Sequence, residues 1–237
     1  MRSIYLDNSA TTKVYPEVAE LMCKTMLADY GNPSAKHTMG VEAEKYYRES
    51  REEIAETLKA KAKEILFTSG GTESDNMALI GGCFAKMRQG KHIISSAIEH
   101  PAIYKALEFL ESHGFEISIL PVDEKGHISL TELEKTLRED TVMVSIMTVN
   151  NEMGAVEDIH AIGEMIKKKN PDCLFHTDAI QAYGKMILHP KKDFVDLLSV
   201  SGHKLHGPKG IGFLFIDEKV KINPIIFGGG QQGGLRS

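Results

Sequence analysis

Short apolar runs alternate with longer amphipathic stretches along most of the chain. The runs of strand length are "EILFTSG", "KHIISSA", "FEISILPV", "TVMVSIMTVN", "CLFHTDA", "DFVDLLSVS" and "GIGFLFID". The stretches between them, such as "HPAIYKALEFLESHG", have the apolar spacing of helices that bury one face. Strands that alternate with helices favour right-handed crossovers and a mainly parallel sheet. We therefore predict an α/β fold with three layers, α/β/α.

Several residues predict where these elements begin and end. Ser129 is followed three residues later by Glu132, which is the spacing of a helix-starting capping box. Gly114 suits the end of one helix, and Pro171 stops another. The run at 141–150 is mainly apolar, with no regular alternation, as expected for a strand that is buried on both faces.

The composition is that of an ordinary globular protein and excludes some partners. The chain has 237 residues, of which 42% are hydrophobic and 26% are charged, enough for one large or two small domains. Lys and Arg number 28 against 33 Asp and Glu, so no basic surplus favours nucleic acid or a membrane surface. The N-terminus has no signal-peptide core, and no apolar run approaches the roughly 20 residues that span a bilayer.

The cysteines indicate a reducing compartment. The chain has three of them, Cys23, Cys83 and Cys173, and their odd number and wide spacing do not form a disulfide framework. We interpret all three as small core residues. A cytoplasmic location is expected.

The C-terminal segment is rich in glycine. It reads "FGGGQQGGLRS", and compact domains rarely finish on such a flexible tail. We therefore expect the sequence to be part of a longer natural chain.

Polar residues stand at the predicted carboxyl ends of the strands, where ligands bind in open α/β sheets. The turn "TSGGTESDN" combines two glycines with Thr72 at the start of a helix, a pattern that suits an anion. Such a turn alone is weak evidence, because many strand-to-helix turns are rich in Gly and Ser. "VNNE" ends the most apolar strand with polar side chains that need partners.

Three ionisable residues follow other strands, and each has a structural alternative. His100 begins a helix and could be only a helix-start residue. Asp178 could be a buried carboxylate at a ligand site or a helix cap. Lys204, in "SGHKLHGPKG", could be a desolvated nucleophile or a lysine whose head reaches solvent.

Taken together, these residues suit pyridoxal phosphate. Its phosphate needs a helix N-terminus, its aldehyde needs a lysine, and its pyridine nitrogen needs a carboxylate that keeps it protonated. No one of the motifs indicates this cofactor alone.

The motifs "YLDNSATT", "GNPSAKH", "FTSGGTESDN", "SIMTVNNEMG", "HTDAIQAYGK" and "SGHKLHGPKGIG" occur in an order that is recognisable. In order and spacing the chain resembles, over essentially its whole length, the cysteine desulfurases of the NifS/IscS group. These are fold-type I, aminotransferase-like pyridoxal phosphate enzymes. In that fold one edge strand usually runs antiparallel, and "GIGFLFID" is the candidate.

The resemblance implies a role for each site residue. Lys204 would hold the cofactor covalently and then act as a base, and His100 would stack on the pyridine ring and relay protons. Asp178 would pair with the pyridine nitrogen, and Gln181 would hydrogen-bond the phenolic oxygen. Asn151 would position substrate or cofactor. The residues implied for the phosphate are Gly71, Thr72, Ser201 and His203.

The resemblance also implies an activity and partners. The family converts L-cysteine to L-alanine and leaves the sulfur as an enzyme persulfide, for iron–sulfur cluster or thio-cofactor biosynthesis. A homodimer is expected, with an iron–sulfur scaffold or a tRNA-thiolation protein as sulfur acceptor.

The resemblance further implies a domain division. Residues 1–14 would pack with a small domain, and residues 15–237 would form the pyridoxal phosphate-binding large domain. Family members run on past residue 237 into a segment that carries the persulfide cysteine and a substrate-binding arginine. This chain alone is therefore expected not to complete sulfur transfer.

Three other classes stay open at this point. A metal enzyme could use His176, Asp178, His203 and His206, although it would not need Lys204. The chain could be a truncated domain without catalysis. It could also be another pyridoxal phosphate enzyme of the same fold, such as a selenocysteine lyase.

Overall fold

A computed structural model describes residues 4–236 and contains a seven-stranded sheet. The strands are β1 (Ile65–Thr68), β2 (His92–Ser96), β3 (Glu116–Leu120), β4 (Thr141–Ser145), β5 (Leu174–Asp178), β6 (Leu197–Ser201) and β7 (Gly212–Ile216). Their spatial order is β1-β7-β6-β5-β4-β2-β3. The pairs from β3 across to β6 are all parallel, so the carboxyl ends of five strands meet at one edge.

Helices cover both faces of this sheet, which confirms the three-layer prediction. They are α1 (Pro16–Leu27), α2 (Thr38–Thr57), α3 (Gly71–Asn76), α4 (Gly82–Lys86), α5 (Pro101–Ser112), α6 (Leu130–Thr136) and α7 (Ile159–Lys169). Each face has its own apolar core. Phe175 belongs to one and its neighbour Leu174 to the other, as the alternation of a strand buried on both sides requires.

The antiparallel strand lies inside the sheet and not at its edge. β7 runs antiparallel to both β6 and β1, so its direction was predicted correctly and its position was wrong. β1 is the edge strand next to β7, and the side-chain amide of Gln232 pairs with the backbone of Phe67. Phe67 N–H donates to Gln232 Oε1 at 2.7 Å, and Gln232 Nε2 donates to Phe67 O at 2.8 Å.

Most of the predicted boundaries hold. Ser129 Oγ accepts the N–H of Glu132 at 3.3 Å at the start of α6. Gly114, just after α5, has φ +84°, a conformation that favours glycine. β4 is shorter than the apolar run at 141–150, because the chain leaves the regular strand after Ser145.

The helix after β1 contains a π-helical segment. α3 continues through Met77–Gly81 into α4, and the Gly81 carbonyl accepts the N–H of Asn223 at 3.0 Å. An added Cβ at Gly81 would lie 2.5 Å from the Asn223 oxygen. The π-helical segment thus presents the Gly81 carbonyl to the backbone of the segment that follows β7.

The cysteine prediction is correct for two residues and wrong for the third. Cys83 and Cys173 are buried, whereas Cys23 is exposed. Cys23 lies on α1, which buries none of its residues. Helical periodicity therefore placed Cys23 in a helix but could not show that none of the residues of this helix is buried.

The predicted N-terminal unit is hydrogen-bonded to the body of the fold near its C-terminal end, whereas residues 4–10 are exposed. Residues 1–3 of the 1–14 segment lie outside the described residues. Thr12 N–H donates to the His203 carbonyl at 2.8 Å, and Tyr15 N–H donates to the His206 carbonyl at 3.1 Å. Within residues 4–236, no helix combines the length and the apolar character needed to cross a bilayer.

Candidate active site

A cavity of about 270 Å³ opens at the carboxyl ends of the central strands. All nine residues singled out in the sequence line it: Gly71, Thr72, His100, Asn151, Asp178, Gln181, Ser201, His203 and Lys204. Met147 and Ile180 complete the lining. These eleven residues come from five separate parts of the chain, which the parallel crossovers bring to one edge.

The turn between β1 and α3 brings the backbone close to this cavity. Gly70 has φ +149°, which a side chain would disfavour. A Cβ at Gly71 would lie 2.0 Å from Ile180 Cδ1, so the position has no room for a side chain. Glu73 Oε2 accepts the N–H of Ser69 at 2.7 Å and thereby holds the turn.

A second cavity of about 320 Å³ shares this turn. Gly71, Thr72, Ser201 and His203 line both cavities, and Lys209 lines only the second. Burial, followed by the charges of Lys204 and Lys209, lowers the pKa of His203. The backbone amides and hydroxyls here therefore lie in a region of positive charge, which suits an anion.

His100 is a helix-start residue and also part of the cavity wall. It caps α5, where its Nδ1 accepts the N–H of Ala102 at 3.1 Å, and its ring also lines the cavity. Burial and then the charge of Lys204 lower its pKa. The ring is therefore neutral at neutral pH.

Asp178 ends β5 and is 3% exposed. Its Oδ1 accepts the N–H of Ile180 at 2.9 Å, so it also stabilises the local turn. Burial raises the pKa of Asp178 to about 6, against the opposing effects of the Ile180 N–H and the charge of Lys204. At neutral pH it is a carboxylate facing the cavity.

Lys204 ends the short 3₁₀ turn Gly202–Lys204 that follows β6. Its Nζ donates to the Ala10 carbonyl at 2.8 Å and also to the Ser9 carbonyl. Burial lowers the pKa of Lys204, the positive charge of Lys185 lowers it further, and Asp178 opposes both. The neutral amine is therefore easier to form here than in a solvated lysine.

Gln181 and Asn151 both carry side-chain amides and line the cavity, and neighbouring residues hold each of them in place. Gln181 Nε2 donates to the Ser9 carbonyl at 2.9 Å, and its Oε1 accepts from Lys185 Nζ at 3.2 Å. Asn150 holds the turn after β4, since its Oδ1 accepts the N–H groups of Glu152 and Met153. The next residue, Asn151, lines the cavity.

Several residues around the cavity had no role in the sequence reasoning. Met147 and Ile180 line it, and Lys209 lines the adjoining cavity. Asp75 and Glu99 are buried carboxyl groups close behind it. Asp75 stands in the quoted turn "TSGGTESDN" and Glu99 directly precedes His100, and neither position carries a local signal of burial.

A larger cavity lies elsewhere, and it does not contain the predicted residues. It has a volume of about 700 Å³ and is lined by residues at the beginnings of β5 and β6 and just after β7. Its lysines are partly paired, as Lys167 Nζ lies 2.5 Å from Asp196 Oδ2. We place the chemistry in the smaller cavity, because the nucleophilic amine and the buried carboxylate meet there.

The metal-site alternative loses its ligands in the fold. Across residues 4–236, no group of three or more His, Cys, Asp or Glu side chains could hold a metal ion. Both ring nitrogens of His176 are hydrogen-bonded, Nδ1 to Ser145 Oγ and Nε2 to Ser199 Oγ, each at 2.9 Å.

The residues at the cavity fit pyridoxal phosphate. The cavity provides an amine with a lowered pKa, a buried carboxylate and a flat neutral ring. Gly71 leaves its backbone open to a close approach. The volume is slightly below the range of roughly 300–1,000 Å³ of small-molecule sites, as expected for a compact ligand.

Fold and site together define a three-layer α/β/α protein with a lysine and a carboxylate in one cavity at the strand ends. The family model described as Aminotransferase class-V matches residues 4–233, and the chain belongs to this family of pyridoxal phosphate-dependent proteins.

Curated relatives carry a consistent name. Cysteine desulfurase IscS of Dictyoglomus turgidum is 46% identical over 236 residues, covering 100% of this chain and 59% of that protein. Cysteine desulfurase IscS of Methanosarcina thermophila is also 46% identical, with 100% and 58% covered. The chain therefore spans about 60% of the length of these relatives.

Solved structures share the fold closely. A "NifS-like protein" superposes with a TM-score of 0.97 at 42% identity, covering 100% of this chain and 65% of that one. "SspA in complex with cysteine" superposes with a TM-score of 0.94 at 39% identity, covering 99% and 68%.

Proposed function

We propose that this chain is the cofactor-binding part of a pyridoxal phosphate-dependent cysteine desulfurase. Such an enzyme converts L-cysteine to L-alanine and passes the sulfur to an enzyme thiol. The observation that carries the proposal is the meeting of Lys204, Asp178 and His100 in one cavity. The names of the relatives, and the cysteine complex of one similar structure, support cysteine as the substrate.

Each lining residue has a proposed task toward the cofactor. Lys204 would bind its aldehyde carbon, Asp178 its pyridine nitrogen, and Gln181 its phenolic oxygen. His100 would stack on the ring, and Asn151 would position the substrate or the cofactor. The proposed phosphate ligands are Gly71, Thr72, Ser201 and His203.

When bound, pyridoxal phosphate supplies an electron sink for the bonds around the substrate α-carbon. The chain's own residues prepare that chemistry. The lowered pKa of Lys204 makes its Nζ available as a nucleophile and as a proton acceptor. Asp178, ionised above about pH 6, holds a proton on the group that it faces.

Because its Nδ1 accepts the Ala102 N–H, the neutral ring of His100 carries its proton on Nε2, from which it can donate a hydrogen bond. Ile180 and Met147 form the apolar part of the wall. Their side chains exclude water beside Asp178 and so strengthen its electrostatic effect.

We also propose a cytoplasmic homodimer. The three cysteines are unpaired thiols, which suits a reducing compartment. Large apolar side chains at the N-terminus and on α1 are exposed, among them Leu6 at 86% and Leu27 at 80%. We assign the sulfur to an iron–sulfur scaffold or a tRNA-thiolation protein. Sedimentation equilibrium and sulfur-35 transfer to each candidate acceptor test these two points.

The test of the cofactor assignment is a covalent label. The purified protein is mixed with pyridoxal phosphate, reduced with borohydride, digested and mapped by peptide mass spectrometry. We expect the added mass on Lys204. Lys204→Ala should lose the label and keep its circular dichroism spectrum.

Lys185→Ala is the matched control, because Lys185 is a partly buried neighbour whose charge acts on Lys204. It should keep the label on Lys204. A label that persists in Lys204→Ala, or no label in a folded wild-type chain and in a longer form, would overturn the assignment.

Sulfide release from cysteine, measured on the longer form, then separates a desulfurase from a domain without catalysis. Selenide release from selenocysteine in excess of sulfide would favour a selenocysteine lyase.

A further inference from the structure

A row of polar side chains crosses the interior of the sheet one layer below Asp178. Ser95 Oγ donates to the Ser145 carbonyl at 2.9 Å, and Ser145 Oγ is hydrogen-bonded to His176 Nδ1 at 2.9 Å. His176 Nε2 is in turn bonded to Ser199 Oγ at 2.9 Å. All four side chains are fully buried on neighbouring strands. The polar groups of this layer therefore have partners inside the protein.

Asp75 is the exception at this layer. It lies on α3, is fully buried, and lies 3.7 Å from His176 Nε2 through its Oδ1. Within the described chain, neither of its carboxyl oxygens has a hydrogen bond of good geometry. The Ser199 hydroxyl is the neighbour that favours its charged form. An ionised carboxylate in this place would cost several kcal/mol.

The charges that face Asp75 are also unfavourable to its ionisation. Burial has the largest effect on its pKa, the charge of Asp178 raises it further, and Glu99 adds to this where it is ionised. His176 provides no compensating charge, because burial lowers its pKa to about 3.

Asp178 has a hydrogen-bond donor of good geometry and a nearby cation, neither of which Asp75 has in the described chain. Its Oδ1 accepts the Ile180 N–H, and the positive charge of Lys204 favours its ionised form. When two neighbouring carboxyl groups cannot both ionise, the proton resides on the one with fewer donors and no cation.

We propose that Asp75 is a positioning residue that keeps its proton, so that Asp178 carries the charge of the buried pair toward the cofactor nitrogen. This role rests on the proposed function. Asp75 contributes a neutral polar group close to Asp178, with His176 and Ser199 beside it. The charge of Asp178 is then directed at the cavity alone.

The test begins with cofactor-free protein that carries ¹³C at its aspartate carboxyl groups. Infrared spectra are recorded at about pH 7.5, where Asp178 with its pKa of about 6 is ionised. We expect a protonated-carboxyl band from aspartate in the wild type. The band should be absent in Asp75→Asn and present in Glu99→Gln, since the label does not mark glutamate. A wild type without the band would overturn the proposal even if Asp75→Asn failed to fold.

The coupling to Asp178 needs a second measurement. In Asp178→Asn the Asp75 band should disappear at a lower pH than in wild type, because the repelling charge is gone. A band that titrates unchanged would overturn the positioning role, since a structural residue would not respond. Pyridoxal phosphate affinity of Asp75→Asn should stay within about twofold of wild type at neutral pH, whereas removal of a charged Asp75 would change it about tenfold. Neither infrared experiment needs the cofactor, so a failure of the Lys204 label is distinguishable from a failure here.

Discussion

Asp178 is a single residue in which a structural and a chemical role combine. One carboxyl oxygen stabilises the turn at Ile180, and the group lines the cavity with almost no exposure. Burial raises the pKa of Asp178, and the Ile180 N–H and the charge of Lys204 lower it. The resulting pKa is about 6. The charge is therefore available at neutral pH and is lost under mildly acidic conditions.

This balance predicts a pH-dependent cofactor affinity. As the pH falls through about 6, Asp178 takes up a proton and its attraction for a protonated nitrogen disappears. Asp178→Asn should weaken pyridoxal phosphate binding at neutral pH by about tenfold to a hundredfold. The measurement is an absorbance titration with the cofactor at several pH values.

The same variant controls for the titration of the cofactor itself. The amide that Asp178→Asn introduces cannot ionise, so the difference between the two pH curves isolates the carboxyl group. An affinity difference that stays constant from about pH 5 to pH 8 would contradict the assigned charge.

Glu99 gives a prediction about stability. Its Oε1 accepts from the Ser96 hydroxyl at 2.6 Å and from the Met147 N–H at 2.9 Å, while its buried Oε2 has no partner among the described residues. Burial raises its pKa from the ordinary 4.5 to about 8. Because the folded-state pKa lies above the unfolded value, the stabilisation is complete below about 4.5 and is lost as the pH rises through about 8.

Glu99→Gln should therefore remove this pH dependence. Within that window the unfolding free energy of wild type should lose up to about 1.4 kcal/mol per pH unit relative to the variant. Urea denaturation at matched pH values measures it. Parallel stability curves for the two proteins would show that Glu99 is ionised in the native state.

At the scale of elements, the position of the α3 turn depends on its contact with β7. An added Cβ at Gly212 would lie 2.4 Å from the Val200 carbonyl oxygen and 2.8 Å from Gly70 Cα. These neighbours are backbone atoms and cannot rotate away. The absence of a side chain on β7 thus lets the cavity-lining turn approach the sheet.

Gly212→Ala should consequently disturb both stability and binding. We expect a loss of about 2–3 kcal/mol in unfolding free energy and weaker pyridoxal phosphate binding. Gly230→Ala is the matched control, since an added Cβ there has no neighbour within 4 Å. Urea denaturation and a cofactor titration measure the two effects. Equal values for Gly212→Ala and Gly230→Ala would contradict this account of the turn.

The elements themselves could be predicted because their signals are local. Apolar runs indicated the strands, and Ser129 and Pro171 indicated helix limits that the structure shares. Strand neighbours depend on contacts distant in sequence, so the run "GIGFLFID" could indicate β7 but not its place between β1 and β6. The pairing of Gln232 with Phe67 across 165 positions is of the same kind.

For the molecule as a whole, the positions of Thr72, Asp178 and Lys204 after strands at one edge of a parallel sheet indicated the cavity, and the family resemblance completed the set of nine residues. The sequence did not indicate the buried polar residues behind them. Asp75 and His176 lie inside elements whose sequences are otherwise apolar or helical, and only the packing shows which of them lack partners. The exposure of Cys23 was missed for a related reason, since only the packing shows that α1 buries none of its residues in the described chain.

The state of the thiols predicts how far this chain can carry sulfur transfer. Sulfur acceptance needs a thiolate that reaches the substrate. Burial raises the pKa of Cys173 to about 12 and raises that of Cys83 as well, so neither is ionised at neutral pH. Cys23 is exposed, but it lies on α1 and does not line the cavity.

Brief alkylation of the native 237-residue chain should therefore modify Cys23 and leave Cys83 and Cys173 unmodified until urea is added. After loading with pyridoxal phosphate and incubation with L-cysteine, mass spectrometry should find no persulfide on any of the three, and Cys23→Ser should not change sulfide release. A persulfide on Cys23 would mean that α1 reaches the cavity in solution. It would also make this chain competent for the first half of sulfur transfer without any further thiol.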